Sequence, residues 1–321
     1  MKSINGPYDV VVVGGGAAGL SAGLVLGRSR RRVLIVDAGE PRNAPAAHMQ
    51  GYLSRDGMPP AEFLAAGRRE VAAYGVETAD DRVTDVRADG PGEFTVDLAG
   101  GRSVHARRVV LATGLVDALP DVPGLAERWG RDVLHCPYCH GYEVRDQPFG
   151  VIASPVSGIH QALLVTQWSK DVTLFPHTAP KLSADDVEKL AVAGVTVVEG
   201  EVAGLDVRDD RLAGVRLADG RTVPRSVLFV EAGAVPRNAL ADRLGARTQD
   251  TPFGPYPAVD AGGRTSVPGV WAVGNAVGPK VQVVNAAAAG YQAGLVINHE
   301  LTLGDIDEGV AARRGEAQAP A

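Results

Sequence analysis

The hydrophobic positions of this chain form short continuous runs, which are followed by glycine-rich turns and longer apolar segments. Tyr8 to Val13 is a β-branched run of the kind that predicts a strand buried on both faces. The turn Gly14 to Gly19 follows at once, and an apolar segment through about Leu26 predicts a helix. A second strand is predicted from Arg32 to Val36. Strands that alternate with helices predict an α/β fold with parallel sheets.

The first turn has the spacing of a dinucleotide-binding site. Gly14, Gly16 and Gly19 form the pattern G-x-G-x-x-G between a predicted strand and a predicted helix. Glycine at these positions permits a tight turn, close approach of the backbone to a pyrophosphate, and close packing of helix and strand. Asp37 ends the second strand, where its carboxylate can accept hydrogen bonds from a ribose.

Composition and charge limit the possible functions. The 321 residues carry a formal net charge of −6, so no basic surface for nucleic acid is predicted. No secretory signal is recognisable and Val10 to Val13 is too short to span a bilayer, so we expect a cytoplasmic protein without membrane contact. Arg28 to Arg32 is predicted to be a solvated helix end. Residues from about 305 to 321 are predicted to be a disordered tail.

The two cysteines of the chain form a C-x-x-C pair at Cys136 and Cys139, and His140 follows them. One thiolate of such a pair can attack across the short loop, so the pair can cycle between dithiol and disulfide. The run also fits a c-type haem attachment motif, but haem attachment normally needs export and no secretory signal is recognisable. A zinc site needs further ligands, which no second Cys/His cluster supplies. His140 is suited to proton transfer, although a structural hydrogen bond would also explain it. We therefore predict a redox-active pair and no metal site.

Two later segments have the pattern of further nucleotide contacts. Val109 to Gly114 is a predicted strand ending in Ala-Thr-Gly, and Val270 to Asn275 is another, followed by a predicted helix from about Val281 to Leu301. These segments resemble the second and third nucleotide-contacting segments of flavoproteins that bind two dinucleotides. The resemblance implies FAD rather than NAD at the N-terminal site.

The order of motifs resembles the low-molecular-weight thioredoxin reductases over roughly residues 7 to 303. The resemblance implies two Rossmann-like α/β domains with three-layer ββα architecture, of the pyridine nucleotide-disulfide oxidoreductase type, and a homodimer. It also implies a set of FAD contacts: Gly14, Gly16, Ala17, Ala18, Gly19, Asp37, Ala38, Asn43, His48, Ala112, Thr113, Gly114, Gly274, Asn275, Gln282 and Val283.

Two departures from the reductase pattern concern the second nucleotide site. A turn with the sequence Ala153-Ser-Pro-Val-Ser-Gly158 lies between a predicted strand at Pro148 to Ile152 and a predicted helix at Ile159 to Trp168. Pro155 can neither adopt the glycine conformation nor donate an N–H to a phosphate. The segment Pro176 to Lys181 lacks the arginines that pair with the 2′-phosphate of NADPH in the reductases. The sequence therefore predicts that NADPH is not used.

Other departures indicate one branch of the family. His140 stands where the reductases usually carry an acidic proton donor, and Asn275 replaces an aspartate that bonds the ribityl chain of FAD. With Glu40 to Asn43, His48 and the run Cys-Pro-Tyr-Cys-His-Gly-Tyr-Glu, they resemble the dithiol oxidase branch. Its members close disulfides in small natural products such as gliotoxin and holomycin, with oxygen in place of NADPH. The resemblance implies a small-molecule dithiol and oxygen as substrates.

We expect a discontinuous FAD-binding domain at about 1–117 and 251–321. It would surround an inserted, degenerate NAD(P)-binding-like domain at about 118–250 that carries the cysteines. Segments 82–105 and 201–224 are predicted to be small β-meanders.

The expected chemistry starts with a substrate thiolate that attacks Cys136. His140 would deprotonate the incoming thiols, and by analogy with the reductases Cys139 would be the sulfur nearest the flavin. Electrons would reach oxygen through FAD and yield hydrogen peroxide. One alternative is a disulfide reductase supplied by NAD(P)H at an unusual site or by a donor such as ferredoxin. The other is a non-catalytic, redox-sensing flavoprotein.

Overall fold

The structure is a computed structural model that describes residues 7–153 and 159–318, with side chains through Arg314. Its strands and helices are, in chain order, β1 (Tyr8–Val13), α1 (Ala17–Arg28), β2 (Val33–Asp37), α2 (Pro60–Ala73), β3 (Glu77–Asp80), β4 (Val83–Gly90), β5 (Glu93–Leu98), β6 (Ser103–Leu111), β7 (Leu115–Ala118), α3 (Leu125–Arg128), β8 (Val133–Leu134), α4 (Pro137–His140), β9 (Phe149–Ile152), α5 (His160–Val165), β10 (Val172–Phe175), α6 (Ala184–Val192), β11 (Thr196–Val197), β12 (Val202–Arg208), β13 (Arg211–Leu217), β14 (Thr222–Pro224), β15 (Val227–Val230), β16 (Gly233–Pro236), α7 (Ala239–Arg243), β17 (Thr248–Thr251), β18 (Gly254–Pro257), β19 (Val270–Ala272) and α8 (Val283–Gln318). The predicted α/β class is confirmed.

Contacts between residues divide the chain into two compact units. Unit 1 consists of the described residues up to 41, residues 61–115 and residues from 236 onward, and unit 2 consists of residues 42–60 and 116–235. This division differs from the predicted domain boundaries in two segments. Residues 42–60 belong to unit 2, and residues 236–250 belong to unit 1.

Side-chain contacts explain both differences. Arg42 donates to the Asp117 carboxylate through Nε and Nη2, at distances of 2.6 to 3.1 Å, which fixes the start of the 42–60 segment to unit 2. Leu240 and Ala241 on α7 are buried in the core of unit 1. Neither contact leaves a local signal in the sequence.

Unit 1 is built on a seven-stranded sheet with the order β3-β2-β1-β6-β5-β4, and β19 also pairs with β6. β1 pairs in parallel with β2 and β6, and Val11 lies between Leu34 and Val109. All three of these side chains are fully buried, as the β-branched run predicts. β4, β5 and β6 form the predicted meander and continue the sheet by antiparallel pairing.

Helices α1 and α8 pack closely through two glycines. A Cβ added at Gly290 would overlap the Ala18 carbonyl, and one at Gly294 would overlap the Val25 side chain. The absence of side chains at these two α8 positions therefore lets α8 approach the helix that follows the first glycine turn.

Helix α8 corrects two predictions. It continues to Gln318, although residues from about 305 were predicted to be disordered. Asp305 forms ion pairs with Arg31 and Arg107 at 2.7 and 2.6 Å, and Arg31 also donates to the Thr302 hydroxyl. These contacts anchor the helical extension, and Arg31 is consequently not part of a solvated helix end.

Unit 2 has a five-stranded parallel sheet with the order β11-β10-β9-β15-β8. Phe149, Val151 and Phe229 contribute to one hydrophobic core, and Ile152 and Leu228 contribute to another. The antiparallel sheet β12-β13-β14 is the second predicted meander. α5 ends at Val165 and is shorter than the predicted helix. Within the described residues, no helix is long and apolar enough to span a membrane.

Candidate functional site

The turn between β1 and α1 has the shape of a phosphate-binding loop. Gly14 has a φ of 109°, and a Cβ there would overlap the Ala112 carbonyl. A Cβ at Gly19 would overlap the Gly14 carbonyl, so glycine is required for helix and strand to approach. At Gly16, by contrast, an added Cβ would meet open space. A ligand can therefore reach the backbone at Gly16, where α1 begins at Ala17 with free N–H groups in its first turn.

Asp37 lies at the end of β2, next to this turn. A Cβ at Gly15 would come within 2.7 Å of the Asp37 carboxylate, so glycine permits the close approach. Arg68 on α2 pairs with the same carboxylate. A cleft of about 320 Å³ opens here, and it is lined by Asp37, Ala38, Gly39, Arg68, Asp80, Asp81 and Arg82. The carboxyl ends of parallel strands are the usual site for nucleotides in such sheets.

The sequence predicted Asp37 and Ala38 but missed Arg68. Arg68 is one of several charged residues on α2, and no spacing in the sequence distinguishes it from its neighbours. Only the packing of α2 against the sheet brings its guanidinium to Asp37.

The second predicted nucleotide segment adjoins the first. The Ala112 N–H donates to the Val13 carbonyl at 2.8 Å, so the end of β6 lies beside the end of β1. Thr113 donates its hydroxyl to the Arg237 carbonyl at 3.2 Å. Gly114 has a φ of 68°, which favours glycine.

The third predicted segment reaches the same turn. A Cβ at Gly274 would lie 3.0 Å from the Cβ of Ala18, and the Val273 N–H donates to the Leu111 carbonyl. Gln282 immediately precedes α8, and its carbonyl accepts the Ala286 N–H at 2.8 Å. Three separate stretches of unit 1 thus meet around the first glycine turn.

Asn275 has a structural role that the sequence did not predict. Its Nδ2 donates to the carbonyls of Gly278, Pro279 and Val281 at 3.0, 3.3 and 3.3 Å. Only its Oδ1 can therefore serve as the acceptor that was predicted to bond a cofactor hydroxyl.

Two of the predicted cofactor contacts lie in unit 2. Asn43 and His48 belong to the 42–60 segment, and the His48 side chain is exposed.

Cys136 and Cys139 form a disulfide in unit 2, and their Cα atoms are 5.3 Å apart. The pair lies just beyond β8, and Pro137 begins the short helix α4. The Cys136 carbonyl accepts hydrogen bonds from the N–H groups of Cys139 and His140 at 3.1 and 3.2 Å. Both cysteines are partly exposed, so a thiol from outside can reach the pair.

His140 ends α4 directly after Cys139. Both of its ring nitrogens are buried, and neither has a hydrogen-bond partner of good geometry in the described part of the chain. Burial lowers the pKa of His140 below its usual value, while the Cys136 backbone and Glu143 oppose this effect. The ring is therefore neutral at neutral pH and has a lone pair that can accept a proton from a thiol.

His135 lies on the other side of the cysteines. Its Nδ1 is 3.3 Å from the Val230 carbonyl, and burial, with a smaller contribution from Arg42, lowers its pKa. Its backbone carbonyl accepts a hydrogen bond from the Gln161 side chain at 2.6 Å. Across residues 7–153 and 159–318 there is no group of three or more His, Cys, Asp or Glu side chains that could hold a metal ion.

The second predicted nucleotide region is described only in part. Pro155, on which one prediction depends, lies outside the described residues. In the segment that lacks the arginines, His177 has a φ of 54°, and its Nδ1 accepts the Val202 N–H at 3.0 Å. A structural hydrogen bond therefore holds the loop after β10.

Comparison with known proteins agrees with this arrangement. The family model described as pyridine nucleotide-disulphide oxidoreductase matches residues 8–293. Thioredoxin reductase tcpT of Claviceps purpurea is 32% identical, over 91% of this chain and 94% of the relative. The crystal structure of HlmI has a TM-score of 0.94 at 51% identity and covers 98% of both chains. An oxidoreductase from Agrobacterium tumefaciens has a TM-score of 0.88 at 37% identity, over 93% of this chain and 99% of its own.

The chain therefore belongs to the pyridine nucleotide-disulphide oxidoreductase family. The predicted resemblance to thioredoxin reductase-like flavoproteins is confirmed, and the protein is a thioredoxin reductase-like disulfide oxidoreductase.

Proposed function

We propose that the protein is an FAD-dependent dithiol oxidase that forms a disulfide in a small-molecule dithiol and releases hydrogen peroxide. The observation that carries this proposal is the disulfide of Cys136 and Cys139, followed directly by His140, whose two ring nitrogens are buried. A disulfide accepts two electrons from a dithiol, and a neutral imidazole accepts the proton that must leave the attacking thiol.

The residues of unit 1 fit FAD. The open space at Gly16 and the free N–H groups of α1 suit a pyrophosphate, and Asp37 suits the ribose hydroxyls. The Asn275 oxygen suits a ribityl hydroxyl, because the nitrogen of the same amide is already bonded to the loop before α8. The first turn of α8, after Gln282, is the positive end of the helix dipole and suits partial negative charge on the flavin ring.

The reaction of the cysteines is a double thiol–disulfide exchange. His140 takes the proton of the first substrate thiol, and the thiolate attacks the Cys136 sulfur. The bond between Cys136 and Cys139 breaks, and Cys139 leaves as a thiolate. The second substrate thiol attacks the mixed disulfide and forms the substrate disulfide, and its proton passes to the sulfur of Cys136, which leaves as a thiol. FAD, when bound, would supply the acceptor for the two electrons of the cysteine pair and the route by which they reach oxygen, so that one dithiol and one oxygen molecule give one disulfide and one hydrogen peroxide.

The direction of electron flow rests on the second nucleotide site. Pro155 has no N–H to offer a pyrophosphate, and the segment Pro176 to Lys181 has no arginine for a 2′-phosphate. The structural bond between His177 and Val202 occupies a side chain of that same segment. These features favour a reaction in which electrons enter the protein through the cysteines and not from NADPH.

A second candidate is a disulfide reductase with another electron donor. The name of the Claviceps relative, a thioredoxin reductase, favours this alternative. An anaerobic experiment separates the two candidates. The purified yellow protein is mixed with NADPH or NADH, and in parallel with dithiothreitol, and the flavin absorbance is followed. Bleaching by the dithiol alone, with peroxide formed when air is admitted, supports the oxidase. Bleaching by micromolar NAD(P)H would overturn it.

A further inference from the structure

Gln161 connects the second predicted nucleotide region to the redox pair. It lies in the first turn of α5 and is buried, with 8% of the residue exposed. Its Nε2 donates a hydrogen bond of 2.6 Å to the carbonyl of His135. That carbonyl belongs to the peptide unit that joins His135 to Cys136.

His135 is held at a second point. Its ring nitrogen Nδ1 is 3.3 Å from the Val230 carbonyl at the end of β15. The residue before Cys136 is therefore held by its main chain on one side and by its ring on the other. Cys136 itself follows in an extended conformation, with φ −103° and ψ 113°, and is the residue immediately before α4.

In the described part of the chain, the Gln161 side chain makes one hydrogen bond, the one to the His135 carbonyl. The other end of the amide, Oε1, is buried and has no partner there. The donor of the Gln161 side chain is thus bonded to the peptide unit next to the redox pair.

We propose that Gln161 is a positioning residue that makes the Cys136–Cys139 disulfide harder to reduce. Closure of the disulfide requires both sulfurs to lie within bonding distance, and a restrained backbone before Cys136 keeps them there in the reduced state too. Without the hydrogen bond, the reduced pair gains conformational freedom, so the equilibrium shifts toward the dithiol. This inference rests on the proposed function only in taking the pair as the redox centre.

The test is the equilibrium of the holoprotein with dithiothreitol under anaerobic conditions. The enzyme disulfide and the reagent dithiol exchange two electrons and two protons to give the enzyme dithiol and the cyclic reagent disulfide. The reduced fraction is read by alkylation of Cys136 and Cys139 and mass measurement. In Gln161→Met, which keeps the shape and removes the donor, we expect a shift of about tenfold toward the dithiol, or about 30 mV for a two-electron couple. Gln167→Met, at an exposed position just after α5, is the matched control and should not shift.

A second variant, Gln161→Glu, tests the same hydrogen bond in a different way. A protonated glutamic acid can donate to the His135 carbonyl, whereas a carboxylate repels it. The shift relative to the wild type should therefore shrink as the pH is lowered and grow as it is raised. An unchanged equilibrium constant in Gln161→Met, or a pH-independent one in Gln161→Glu, would overturn the proposal. Neither measurement involves oxygen or NAD(P)H. A failure of this proposal can therefore be distinguished from a failure of the proposed direction of turnover.

Discussion

The side-chain nitrogen of Asn275 lies 3.0 Å from the Gly278 carbonyl oxygen and donates a hydrogen bond to it. The same nitrogen is 3.3 Å from the carbonyls of Pro279 and Val281. These carbonyls belong to the loop that leads into α8, so one amide group fixes the approach to the first turn of that helix. An aspartate could not make these bonds, because an ionised carboxylate has no donor.

Asn275→Asp is therefore expected to destabilise the loop before α8. The variant places a negative charge against three carbonyl oxygens and removes the hydrogen bonds that the Asn275 amide donates to them, which costs about 1–3 kcal/mol. Urea unfolding and the amount of FAD retained after gel filtration measure the effect. Gln292→Glu, which adds the same charge at an exposed position further along α8, is the control and should behave as the wild type. Equal unfolding midpoints for Asn275→Asp and the wild type would contradict this role.

Gly290→Ala is expected to separate α1 from α8. The added methyl group would overlap the Ala18 carbonyl, and such overpacking typically costs about 1–3 kcal/mol. Gly304→Ala on the same helix is the control, because its Cβ would meet open space and helix propensity alone should stabilise it by about 0.5–1 kcal/mol. Denaturant unfolding distinguishes the two variants by the sign of the change. A stabilised Gly290→Ala would show that the helices do not depend on this glycine.

Local patterns predicted the part of the site that follows β1. The β-branched run, the three glycines and Asp37 lie within one strand–helix–strand unit, so their spacing alone defines the geometry. Partners that are distant in sequence could not be predicted in this way. Arg31 meets Asp305 only because α8 packs on α1, and that contact turns a predicted disordered tail into helix.

The same limit applies near the cysteines. The C-x-x-C-H motif predicted a redox pair and a neighbouring histidine. It could not predict that both ring nitrogens of His140 are buried. Gln161 carries no motif at all, and its contact with His135 depends on how α5 packs beside β8. The assignment of residues 42–60 to unit 2 likewise depends on contacts that are distant in sequence, such as those of Arg42 with Asp117 and of Pro45 with Gly130.

The stability of the protein should fall as the pH is lowered below about 6.5, the pKa of histidine in an unfolded chain. Burial lowers the pKa of His135 and His140 in the folded state. The unfolded chain therefore binds protons at these positions before the folded protein does, and the free energy of unfolding decreases until the pH is below the folded-state values. Urea midpoints at pH 7.5 and 5.5 measure this slope. In a His135→Gln/His140→Gln double variant, the urea midpoint should depend less steeply on pH. An equally steep dependence would show that these two histidines do not cause the slope.

His140→Gln should slow dithiol oxidation at pH 7 by about 10²- to 10⁴-fold, the usual contribution of a general base. The rate of the variant should then rise with pH toward the thiol pKa of about 8.5, because only thiolate already present in solution can attack. The wild type should keep its rate to pH values below 6.5, because burial lowers the pKa of His140. His160→Gln, at an exposed position in unit 2, should leave the profile unchanged. Parallel profiles for His140→Gln and the wild type would remove His140 from the proton transfer.

The central claim is that electrons enter through Cys136 and Cys139 and leave to oxygen. The most direct measurement is the stoichiometry of aerobic dithiol oxidation without any nicotinamide, with an oxygen electrode and a peroxide assay. We predict that one oxygen is consumed and one hydrogen peroxide formed per disulfide, and that Cys136→Ser and Cys139→Ser abolish turnover while FAD stays bound. Turnover that requires NAD(P)H, or turnover that survives in either serine variant, would contradict the account.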